Sequence, residues 1–95
     1  MDEALRERIE GLAEIVEDDP EDVTARFMLA TELAKAGEHA AAEPHFRAVM
    51  ALDGDYTAAW RGLGRALVAL ERVAEAREVF TAGLVVAEQI GRAHV

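Results

Sequence analysis

Apolar residues along the chain recur with helical spacing, in stretches separated by short polar breaks. Tyr56, Trp60, Leu63, Leu67 and Leu70 step by four, three, four and three, which lays one apolar stripe along a helix. From "ERV" onward, the residues Val73, Ala76, Phe80, Gly83, Leu84 and Ala87 carry the rhythm onto another helix. Upstream, Leu29, Leu33 and Ala36 and then Ala42, Phe46, Val49 and Met50 do the same. Their break is "AGEH", where Gly37 can take the left-handed conformation that closes a helix. A leading helix carries Leu5, Ile9, Leu12 and Val16 on one side. It ends at "EDDPEDV", because Pro20 lacks an N–H and biases Asp19 toward extended backbone. Asp22 or Asp19 is placed to cap the next helix, and Asp53, Gly54 and Asp55 mark a further turn. The pattern predicts an all-α chain of five helices, four of them paired as antiparallel hairpins.

The two hairpins repeat. Aligning residues 23–56 with 57–90, an offset of 34, places Leu29 on Leu63, Leu33 on Leu67 and Phe46 on Phe80. Ala25, Ala40, Ala42 and Ala48 fall on Ala59, Ala74, Ala76 and Ala82. The expected organisation is a single domain over 1–95: a leading helix over 2–18, then repeat units over 23–56 and 57–90. Helices this short are marginal alone, so contacts between stacked hairpins must hold the array together.

With this period, the chain resembles the tetratricopeptide repeat family. Trp60, Leu63, Gly64, Ala76 and Phe80 sit at the family's spacings, while Leu67 replaces its Tyr and Glu88 its Pro. In the first unit Leu29, Ala30, Gly37, Ala42 and Phe46 match, with Arg26 in place of the Trp and Gly54 of the Pro. The leading helix resembles the second helix of a preceding repeat, with Leu12 in the Phe slot and Pro20 in the Pro slot. The resemblance implies an α-solenoid of stacked hairpins and a non-catalytic role. Two departures carry expectations. Glu71 stands where the first unit has Gly37, so that turn should be tighter or slightly strained. Pro44 falls inside a helix; with Ala40 as the cap it deletes an early backbone bond and should kink the helix rather than break it.

Arrays of this family display a concave face, built mainly from first helices, that takes up peptides or partner helices. The matching positions are Thr24, Phe27, Thr31, Ala34 and Lys35 in the first unit and Ala58, Arg61, Arg65, Val68 and Ala69 in the second. Phe27, Thr31, Lys35, Arg61, Arg65 and Val68 are the candidate partner-binding set. Arg61 and Arg65, four apart, project from one helix face and can engage a carboxylate or phosphate in a forked geometry. The alternative is that they pair with Glu32, Glu38 or Asp55, or simply solvate the surface. Phe27 is equally suited to the core or to anchoring a ligand. Gly62 costs its helix about 1 kcal/mol against alanine and reads as a tolerated position, the alternative being that it leaves backbone open between the two arginines. The Lys and Asn with which the family's chaperone-type members clamp a C-terminal carboxylate are replaced here by Phe27, Thr31 and Gly62, so that mode does not carry over.

"AWRGLGRAL", residues 59–67, holds a Gly-x-Gly, but helical spacing runs through it and no strand or Lys-Ser/Thr flanks it. Gly64 is read as the small residue that lets two helices close, so Gly64→Leu should cost about 1–3 kcal/mol by overpacking. The chain lacks cysteine, serine and asparagine, which removes thiolate metal sites and the commonest hydroxyl nucleophile and leaves no expectation of an enzyme. His39 is expected to cap a helix and His45 to lie on a half-exposed face. With His94 they form no metal-binding spacing, and "EIVEDDPED" lacks the ligand alternation of a calcium loop. No cofactor is expected.

The formal net charge of −9 is uneven: residues 1–22 carry ten acids and two arginines, −8, and residues 23–95 nine acids and eight bases, −1. That surface repels nucleic acid and anionic lipid over roughly a Debye length, ~8 Å. The expected partner is a protein or peptide, with acidic groups to meet the arginines, and not a nucleic acid or a membrane. The start "MDEALRERIE" is unlike a signal peptide and no apolar run is long enough to span a bilayer, so a cytoplasmic location is expected. The end, "EQIGRAHV", offers no polar capping helix. Val79, Val86 and Ile90 are therefore expected to lie exposed or to meet a second copy, a homodimeric scaffold being the alternative role.

Overall fold

The computed structural model describes residues 2–93; His94 lies outside them. Five helices follow in order: α1 (Glu3–Asp18), α2 (Val23–Lys35), α3 (His39–Leu52), α4 (Thr57–Ala69) and α5 (Val73–Ala93), with no strand among the described residues. Each packs on the next, and α2 also touches α4, so the chain is a right-through stack measuring 43 × 30 × 17 Å. The all-α repeat architecture implied by the spacing is what forms.

The chain turns by repeated chemistry. Before α2 and again before α4, an aspartate carboxylate accepts the amide two residues on: Asp19 from Glu21 at 3.2 Å, and Asp53 from Asp55 at 3.0 Å. Asp22 then caps α2 by accepting the Ala25 N–H at 2.9 Å. The Trp60 indole N–H donates to the Gly54 carbonyl at 3.0 Å, tying α4 to its own entry turn.

Both hairpins close with the same helix-end motif. Gly37 and Glu38 donate back to Ala34 and Leu33, and Glu71 and Arg72 donate back to Val68 and Leu67. The residue at the left-handed position is Gly37 (φ 79°) in one and Glu71 (φ 62°) in the other. Glu71 thus holds the conformation that its side chain disfavours, as the missing glycine implied.

Two expectations at the start of α3 are corrected. Glu38, not Ala40, occupies the cap, without a side-chain cap bond, and His39 is the first helical residue instead of the cap. Pro44 therefore forfeits a bond in the second turn, yet α3 continues unbroken to Leu52.

The main core holds Ala30, Ala42, Phe46, Val49, Ala59, Leu63, Leu67 and Ala76; a second cluster joins Val16 of α1 to Ala25 and Leu29 of α2. Two glycines set the spacing of the stack. A Cβ on Gly64 would overlap the Phe80 ring, so α4 and α5 close over that contact as expected. Gly62 is not merely tolerated: a Cβ there would overlap the Phe46 ring, and the missing side chain lets α4 lie directly on the preceding hairpin. That contact crosses from one repeat to the next, beyond the reach of periodicity within a helix.

Candidate protein-binding groove

The first helix of each hairpin, α2 and α4, lines one side of the stack, and a groove of about 430 Å³ runs between them. Phe27, Thr31 and Lys35 enter it from α2 at spacings of four, one face of that helix. Arg61 and Arg65 enter from α4, again four apart. Phe46 and Gly62 form its floor, and His39 stands at one end.

Five of the six candidate residues thus share one groove. Val68 does not: it is exposed beside Val73, Arg77, Phe80 and Leu84 in a separate hollow toward α5. Phe27 serves both readings of its role. Its ring meets Phe46 edge-on at 6.1 Å and Tyr56 at 4.9 Å, packing against the core, while it remains half-buried and lines the groove.

Electrostatics separates the groove from the rest of the surface. Glu32 lies 3.3 Å from Lys35 and 3.5 Å from Arg8. Outside the groove, Arg72 donates to Glu43 at 2.6 Å and to Glu75 at 2.7 Å, and Arg47 donates to Glu43 at 3.0 Å. The Arg72 hydrogen bonds hold the Glu43 and Glu75 carboxyls below the usual carboxylate range and raise Arg72 itself. Burial, with the charge of Arg26, lowers His45; Arg26 lies 3.2 Å from its Nδ1. Arg61 and Arg65, by contrast, make no ion pair among the described residues, with Glu32, Glu38, Asp55 or any other acid. Two forked donors stand side by side, exposed, at the mouth of an aromatic-floored groove.

Sequence reasoning did not place His39 or Phe46 at this site, and it met Gly62 there only as a position of the absent carboxylate clamp. Phe46 and Gly62 belong to it through inter-hairpin packing, and His39 through a helix start one residue earlier than expected. The His39 Nδ1 is buried and, among the described residues, without a hydrogen-bond partner.

On α5, Val79 packs against the core, and Val79, Val86 and Ile90 are all half-buried. The apolar side chains exposed on that helix are Val73, Leu84 and Val85. Among the described residues, no helix is long and apolar enough to cross a membrane, and no three His, Cys, Asp or Glu side chains are grouped to hold a metal.

No curated protein matches the sequence. Two family models do, both described as tetratricopeptide repeat, one over residues 33–89 and one over residues 9–54. Together they span from within α1 to near the end of α5, and the first alone covers more than half of the chain. Stacked hairpins of 34-residue period, with small residues set under the Phe46 and Phe80 rings, agree with those matches: the chain belongs to the tetratricopeptide repeat family.

Proposed function

We propose that the α2–α4 groove binds a segment of a protein partner that carries acidic groups. Tetratricopeptide repeats are generally non-catalytic protein–protein interaction modules, and the finer reading rests on the chemistry of this groove. The observation that carries it is the state of Arg61 and Arg65, two guanidiniums without an acidic partner among the described residues, on a chain of net charge −9. A carboxylate-bearing segment supplies what they lack, and Phe27 with the Phe46 floor gives its apolar side chains a place to bury. Lys35 joins them by exchanging its contact with Glu32 for one with the ligand. The acidic α1 lends long-range repulsion to any partner acidic along its whole length, which favours a segment whose acids are few and local.

Affinity capture from host lysate, read by quantitative mass spectrometry, tests this with wild type beside Arg61→Glu/Arg65→Glu. Both side chains are exposed, so the variant should remain folded. A protein recovered by wild type and lost by the variant is the expected result. Equal recovery by both removes the groove from the account.

A further inference from the structure

The face of the α4–α5 hairpin is built to be covered, and we infer that it is covered by α5 of a second copy of this chain in an antiparallel two-fold dimer. The molecule contains its own precedent. The α2–α3 hairpin offers Phe46 and Val49 to α4, which lies on them through Gly62 and leaves them 2% and 0% exposed. Thirty-four residues on, Phe80 and Gly83 occupy the same places and pack on α4, but among the described residues no following helix lies on them. A largely apolar hollow opens there between Trp60, Phe80, Gly83, Leu84 and Ala87, with Arg61 and Arg65 also lining it, and Leu84 is 72% exposed.

The occupant is indicated by what α5 does next. The turns into α2 and into α4 depend on Asp19 and Asp53; the corresponding residue is Ala87, which has no side-chain acceptor, and the helix runs on to Ala93. Val73, Ala76, Phe80, Leu84, Ala87 and Gly91 thereby form one seam at spacings of three and four, the pattern by which two helices interlock. Small residues at Ala87 and Gly91, the latter with nothing within 4 Å of where its Cβ would stand, admit the close approach that Gly62 admits inside the chain.

Charge selects a second copy over a partner of opposite sign. The molecule's negative charge is concentrated in residues 1–22, at the far end of the stack, whereas α5 carries Glu75, Glu78 and Glu88 against Arg77 and Arg92. Beside the seam stand Arg77, which makes no ion pair among the described residues, and Glu88, whose contact is an exposed one with Arg92. An antiparallel two-fold near Gly83 sets each Arg77 against Glu88 of the partner subunit. This surface borders the groove, since Arg61 and Arg65 line both, whereas Phe27, Thr31 and Lys35 belong to the groove alone.

Sedimentation equilibrium on the 95-residue chain over a wide concentration range tests the inference. The mass should rise from 10.3 kDa toward twice that value. Leu84→Glu, at an exposed position, should keep the helical circular dichroism and weaken the dimer by about tenfold or more. Arg77→Glu and Glu88→Arg should each weaken it, and the double reversal should recover most of the loss, about threefold or better. Lys35→Glu should leave the association unchanged. A monomer at every concentration overturns the inference, and so does a dimer indifferent to Leu84→Glu.

Discussion

The two hairpins share a period, a closing turn and an aromatic on a small residue, yet one is sealed and the other is open. Phe46 is 2% exposed because α4 lies over it; its counterpart Phe80 is only half-buried, beside the exposed Leu84. The residues themselves barely differ. What differs is the successor: Gly62 arrives on the first hairpin, and after the second α5 continues straight. In a stacked array, then, the burial of a residue is decided by the neighbouring repeat as much as by its own.

The largest expected effect follows from that contrast. Phe46→Ala should cost about 3–5 kcal/mol, and Phe80→Ala roughly half as much, because one of its faces is already in solvent. Urea denaturation of the two variants at low protein concentration checks this, and equal losses would break the comparison. Next come the glycines. Gly62→Leu should cost about 1–3 kcal/mol by driving α4 off the Phe46 ring, whereas Gly11→Leu, with open space around it, should be neutral or stabilising. Thermal melts suffice to separate them.

The five helices, their pairing and the role of Gly64 were legible in the spacing of Leu29, Leu63, Leu67, Phe46 and Phe80, because each lies on a period that one helix imposes on its own sequence. What was not legible crosses between elements. Gly62 looked like a loss of helix propensity because its compensation, the Phe46 ring, belongs to another hairpin. Val79 looked available on α5, and the seam that is exposed instead, through Val73 and Leu84, depends on how α5 rotates against α4. Five groove residues could be placed by matching family positions, but whether Arg61 and Arg65 were already paired is a matter of side-chain distances that no spacing reports.

Smaller effects test how alike the hairpin turns are. Glu71→Gly should stabilise by about 0.5–1 kcal/mol, relieving a left-handed backbone, and Gly37→Ala should destabilise by about the same amount at the equivalent place. Guanidinium titrations of the pair should therefore move in opposite directions. The smallest effect concerns Arg72, which bridges the hairpins through Glu43 of α3 and Glu75 of α5. Their lowered carboxyls bind fewer protons folded than unfolded. Their contribution is therefore complete above the ordinary carboxylate value, about 4.3, and is lost as pH falls through the folded values. His45, also lowered, adds a loss that begins below its ordinary value of about 6.5, since the folded state resists its protonation. Melting temperature against pH should flatten at the acid end in Arg72→Leu, and between neutrality and pH ~5.5 in His45→Gln.

The most direct test of the groove is an amide NMR titration of this chain with the acid-bearing segment of a captured partner, at low and at high salt. The account predicts shifts concentrated at Phe27, Thr31, Lys35, Arg61 and Arg65, weakening with salt as the guanidinium contacts are screened. Shifts confined to Val73, Leu84 and the rest of the α5 seam, with those five residues unmoved, would contradict it.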